Sequence, residues 1–180
     1  MAGEIFTIGH STHTAAGFVS LLRTHDIERV VDVRTVARSG RHPWFNAEPL
    51  EAALGAEGLG YGWLPDVGGL RTPIPGSAND GWTDDAFRGY ADHMATPRFA
   101  ESLRRLAEAA SRERVATMCA EGDWRRCHRR LLSDALALGG WHVHHILPGG
   151  GLEAHQVTGF ASFEGGVVTY PAAQVSLRFQ

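Results

Sequence analysis

Cys119, Cys127 and His128 are the residues whose types and spacing best suit them to chemistry. They comprise both cysteines of the chain, eight positions apart, and the histidine directly after the second. A thiolate is a nucleophile and a soft metal ligand, and an adjacent imidazole can carry its proton. Cys119 closes a short apolar run, a polar turn with Glu121, Gly122 and Asp123 follows, and a basic, leucine-bearing segment begins near Arg129. Strand, turn and helix in that order bring a ligand to the carboxyl end of the strand. The helix N-terminus and nearby arginines favour a lowered pKa at Cys119, whereas a small inert residue ending a buried strand is the competing interpretation.

Other chemistries share these residues. Cys119 and Arg125 stand at the Cys-x5-Arg spacing of a phosphate-cradling loop, but Glu121 and Asp123 fall inside it. A carboxylate about 4 Å from a phosphate charge costs on the order of 4 kcal/mol at an effective dielectric near 20, which argues against phosphatase chemistry. Cys119, Cys127 and His128, completed by His10 or a histidine near position 144, make a sulfur-and-imidazole ligand set. That spacing is permissive for a metal rather than diagnostic, so no resident metal or other cofactor is assigned. Reversible Cys119–Cys127 pairing needs Cα atoms within about 7 Å.

Arg34, Arg38 and Arg41, with Arg125, Arg126, Arg129 and Arg130, form a candidate basic rim. Trp44, Tyr61, Trp63 and Trp124 offer stacking surfaces, so a nucleotide or single-stranded nucleic-acid module is the second functional class. Against it, Asp32, Glu121 and Asp123 can neutralise the arginines, and aromatics mostly fill cores.

The elements that must position these groups alternate along the chain. Residues 5–8 form a buried first strand ending at Gly9-His10, and a polar cluster caps a helix carrying Phe18, Leu21, Leu22 and His25. Residues 29–34 form a second strand with Asp32 and Arg34 on one side. Asn46 caps a helix that Gly58 stops, and residues 60–64 form a third strand. Residues 65–82 are rich in glycine and proline, the composition of a long functional loop. Helices follow from Asp84-Asp85 and from Thr96-Pro97. Beyond the central cysteine segment, residues 141–147 form a strand that residues 149–151 break, and the tail holds short strands around Gly165-Gly166. This alternation predicts one α/β domain over residues 1–180, a parallel or mixed sheet flanked by helices with a β-rich tail.

Composition sets the remaining limits. The 180 residues are 43% hydrophobic and 21% charged, as in ordinary globular proteins. A net charge of −3 gives no overall pull towards nucleic acid or membranes. No apolar run approaches the roughly 18 residues of a membrane span, and no signal peptide is legible. Two cysteines make no disulfide framework, so a reducing cytoplasm is the expected compartment.

The segments T-I-G-H-S-T at 7–12, D-V-R-T-V-A-R-S at 32–39, F-R-G-Y-A at 87–91, and M-C-A-E with C-H-R-R-L-L at 118–132 together resemble the DUF488 proteins. These are small prokaryotic α/β domains of unestablished function, and the resemblance implies the fold and no reaction. The chain departs from the family pattern at Ala37 and at Gly40-Arg41-His42, where proline and R-x-N-P are usual, and is more acidic at Gly122-Asp123. The residues themselves predict a cysteine-dependent enzyme acting on a small anionic or polar substrate, with Cys119, His128 and Glu121 catalytic. His10, Arg34, Arg38 and Arg129 would bind the substrate. Metal binding or thiol redox sensing by Cys119, Cys127 and His128 is a third class.

Overall fold

A computed structural model describes residues 3–173 of the chain. Its centre is a six-stranded sheet in the order β3-β2-β4-β1-β5-β6. The strands are β1 (Glu4–Gly9), β2 (Arg29–Asp32), β3 (Gly60–Trp63), β4 (Val115–Cys119), β5 (His142–Ile146) and β6 (Leu152–Ala154). The first five run parallel, and β6 closes one edge antiparallel to β5. The expected tail strands are β7 (Ser162–Glu164) and β8 (Val167–Thr169), an antiparallel pair turning at Gly165-Gly166.

Strand periodicity divides the core into two layers. Phe6, Ile8, Val30, Ala116 and Met118 meet Phe18, Leu22, Leu50 and Leu54 on one face, from α1 (Ala15–Thr24) and α2 (Ala47–Ala56). Their neighbours Ile5, Val31 and Val115 point the other way, onto Tyr90, Phe99, Leu106, Leu131 and Leu132. Those residues belong to α3 (Asp85–Met94), α4 (Pro97–Ala110) and α5 (Arg129–Leu138). Burying each large aliphatic side chain is worth roughly 1.5–3 kcal/mol, so this alternation fixes the register of every strand.

Most caps follow the local sequence. The side chains of Thr14, Asp84 and Thr96 accept N–H groups of the first turns of α1, α3 and α4. Asn46 differs. It occupies the cap position of α2, yet its Oδ1 accepts from Ser39 N–H at 2.7 Å and so ties down the 35–45 loop. The second strand also ends two residues early, because Arg34 turns back onto Asp32.

The carboxyl ends of β2, β4 and β1 lie side by side. His10 N–H donates to the Cys119 carbonyl at 2.8 Å, and Val33 N–H donates to the Met118 carbonyl at 2.9 Å. Gly9 makes room for what crosses here, since a Cβ on it would lie 1.9 Å from the Glu121 carbonyl oxygen.

Candidate functional site

At this edge a cavity of about 430 Å³ opens between the β2 and β4 ends and the 68–72 loop. Cys119, Glu121, Cys127, His128, Arg34 and Arg38 all line it, so the structure brings most of the expected site residues together. Its wall also contains Val36, Gly69, Leu70, Phe87 and Arg126. Phe87 comes from the F-R-G-Y-A segment and Gly69 from the long glycine-rich loop. Their own spacing gave no sign that they would meet Cys119.

The three residues at its floor are close together. His128 Nδ1 lies 3.7 Å from Cys127 Sγ and 3.9 Å from Cys119 Sγ. His128 Nε2 lies 3.1 Å from the Val33 carbonyl oxygen. A carbonyl only accepts, so Nε2 carries a proton and the Nδ1 lone pair faces the two sulfurs. The ring is held on its other sides too. Tyr90, fully buried, packs against it at 5.1 Å between centroids and donates its own O–H to Val67 O. Gly69 passes over the ring so closely that a Cβ there would sit 2.9 Å from Nδ1.

The two thiols do not titrate alike. The hydrogen bond to Cys127, and then burial, push the Cys119 thiol well above its ordinary range. The same bond, opposed by burial and helped by the His128 ring and the charge of Arg129, pulls Cys127 well below it. The sequence led us to expect the lowered value at Cys119. Instead Cys127, at the entrance to α5, is the thiol pulled down, and Cys119 is the one pushed up.

Arginines surround this floor unequally. Arg34 is buried and holds Asp32 through Nε at 2.9 Å and Nη2 at 2.6 Å, while Nη2 also donates to Phe45 O. Burial opposes the charge of Arg34, but the Asp32 carboxylate outweighs it and raises the pKa. Its Nη1 is buried with no hydrogen-bond partner among the described residues. Arg38 and Arg126 are exposed and, among the described residues, make no ion pair. Arg125 turns outward onto Glu153 and over the Trp124 ring, so the Cys-x5-Arg spacing does not form a phosphate cradle.

His10 and Arg129 lie outside the cavity wall. The His10 ring stacks on Phe45 at 4.3 Å, and burial followed by the Arg34 charge, against a hydrogen bond to Ser11 O, lowers its pKa to about 4. Arg129 runs beneath the 119–123 loop, with Nη2 donating to the Glu121 carbonyl and Nη1 to Thr7 Oγ1 at 3.2 Å. Thr7 Oγ1 is 2.7 Å from His145 Nδ1, His145 Nε2 is 3.0 Å from His155 Nδ1, and His155 Nε2 is 2.8 Å from Asp134 Oδ1. The carboxylate accepts at one end, which fixes both tautomers and makes Thr7 the donor to His145. His145, on the strand considered as one source of a further ligand for the cysteines, therefore supports their loop from behind. Trp44 and Trp63 stand outside the wall as well, each donating its indole N–H to a backbone carbonyl.

The model of the family described as "Domain of unknown function DUF488" matches residues 14–136, more than half of the chain. The chain belongs to the DUF488 family. Comparison with curated proteins and with solved structures gave no match. The DUF488 match covers every segment that lines the cavity, from Arg34 to His128. It begins after β1, the strand that carries Gly9 and His10. Among the described residues of this DUF488 protein, no helix is long and apolar enough to cross a membrane.

Proposed function

We propose that this chain is a cysteine-dependent enzyme acting on a small anionic or polar substrate. The observation that carries the proposal is the placement of His128, whose Nε2–H is fixed on the Val33 carbonyl while Nδ1 faces both thiols. A nucleophile, a base beside it and a third group orienting the base form the pattern of covalent catalysis. Cys127 is the nearer sulfur and precedes α5, where the helix dipole favours an anion. It supplies the attacking thiolate by passing its proton to His128 Nδ1, Cys119 S–H steadies that thiolate, and Nδ1 then hands the proton to the leaving group. The free Nη1 of Arg34, with Arg38 and Arg126 at the rim, favours a negatively charged group on the substrate.

Alkylation tests this directly. Metal-free protein treated with iodoacetamide at pH 7 should be modified at Cys127 faster than an unfolded control, and His128→Ala should slow the reaction about 100-fold, within the usual range for a proton carrier. Thiols that stay unmodified until the fold is lost would remove the proposal.

A further inference from the structure

The same floor has the dimensions of a different site. The Sγ atoms of Cys119 and Cys127 and the Nδ1 of His128 all lie within 4.8 Å of one another. Zinc takes thiolate at about 2.3 Å and imidazole at about 2.0 Å, and tetrahedral angles then separate sulfur from nitrogen by about 3.5 Å and sulfur from sulfur by about 3.8 Å. The observed sulfur–nitrogen distances are 3.7 and 3.9 Å. Both sulfur–nitrogen spacings reach those of a zinc site with shifts of a few tenths of an ångström.

Two independent features make this more than proximity. A histidine that binds zinc usually donates its second ring N–H to a carboxylate or carbonyl, which aims the other nitrogen at the metal. The Val33 carbonyl already does this for His128. Two thiolates also neutralise a divalent cation, so a filled floor would place no net charge beneath Gly69 and Tyr90.

The geometry points to a zinc site in which Cys119, Cys127 and His128 are three ligands and the cavity supplies the fourth. Zinc binding displaces the Cys119 thiol proton and the proton that Cys127 has passed to His128 Nδ1, and forms two Zn–S bonds and one Zn–N bond, with no change of oxidation state. The fourth position opens towards the arginine-bearing wall, so water or a small anion completes it. Sulfur and imidazole together favour zinc over the hard, oxygen-seeking magnesium and calcium. A filled site ties up both sulfurs and the ring nitrogen, and zinc thereby silences the thiol chemistry of the same residues. The inference does not depend on that chemistry, because it stands on the ligand geometry alone.

Cobalt(II) and zinc titrations of full-length protein, freed of metal by chelator under reducing conditions, test it. We expect one cobalt per chain, with the intense visible bands of a tetrahedral thiolate site, and displacement of cobalt by one equivalent of zinc. Cys127→Ser and His128→Ala should each weaken binding at least ten-fold. In case either variant misfolds, the wild type gives a second readout: zinc should protect both cysteines from iodoacetamide, and chelator should restore labelling. Octahedral cobalt spectra, or zinc that leaves the labelling rate unchanged, would overturn the assignment. Rapid labelling of metal-free protein with no zinc effect would overturn the metal site alone and leave the enzyme proposal standing.

Discussion

The guanidinium of Arg34 closes back on the carboxylate of Asp32, two residues earlier, and both side chains are almost wholly withdrawn from water, at 5% and 0% exposure. Removing one partner strands the other. Arg34→Ala should therefore cost about 3–5 kcal/mol of stability, because Tyr61 and a backbone N–H alone would remain to hold the buried charge. Urea unfolding measures the loss, and Asp32→Ala in the same chain should restore part of it. A change below about 1 kcal/mol would show that Arg34 faces a ligand more than it serves the fold.

Gly69 should tolerate no side chain. Alanine there brings a Cβ to 2.9 Å from His128 Nδ1, and the ring cannot retreat without losing Val33 O. Gly69→Ala should cost roughly 1–3 kcal/mol, as overpacking does, and slow thiol alkylation as well. Thermal unfolding and labelling rates would check both, and an unchanged labelling rate would detach His128 from the reactivity of the thiols.

The histidine chain behind the loop predicts sensitivity to acid. Burial, then the neighbouring His155 ring and the charge of Arg129, hold His145 down to about 2. In the unfolded chain it would titrate near 6.5, so the unfolded state takes up a proton the folded state refuses. Its contribution to stability is complete above about pH 6.5 and falls by about 1.4 kcal/mol per unit as pH drops towards 2. The NMR signals of the His145 ring should stay those of a neutral imidazole at pH 5. A normal titration midpoint would refute the buried chain.

The rim arginines predict competition that salt weakens. Phosphate or sulfate at millimolar concentration should slow alkylation of the wild type. Paired Arg38→Ala and Arg126→Ala changes should reduce that protection several-fold at little cost in stability, since both side chains are exposed. Protection that persists in the double variant would place anion binding elsewhere.

Most of the fold was legible because its signals are local. The apolar runs at β1, β2, β4 and β5, the capping residues Asp84 and Thr96, and the glycine pair before β8 each report on their own segment. The cysteine–histidine floor was legible for the same reason, with Cys119 and Cys127 bracketing one turn. What escaped depends on rotation and on distant partners. Arg129 stands next to His128 in sequence, yet in the first turn of α5 it faces Thr7 rather than the cavity. His145 lies near the end of β5, but its partners are Thr7 and His155, and no spacing within 141–147 announces either. The exchange of acidity between the two thiols depends on their mutual distance in space.

Strand order has a consequence for how the chain is made. β4 fills the gap between β1 and β2, which have no hydrogen bonds to each other across it. A nascent chain ending at Ala110 already carries three strands and four of the α-helices, yet its two central strands each present a bare ladder of N–H and C=O groups. Such edges pair readily with those of another unfinished chain. The segment that brings Cys119 to the cavity is therefore also the one that closes the sheet. Ribosome-stalled fragments shorter than about 120 residues are expected to aggregate or to remain with chaperones.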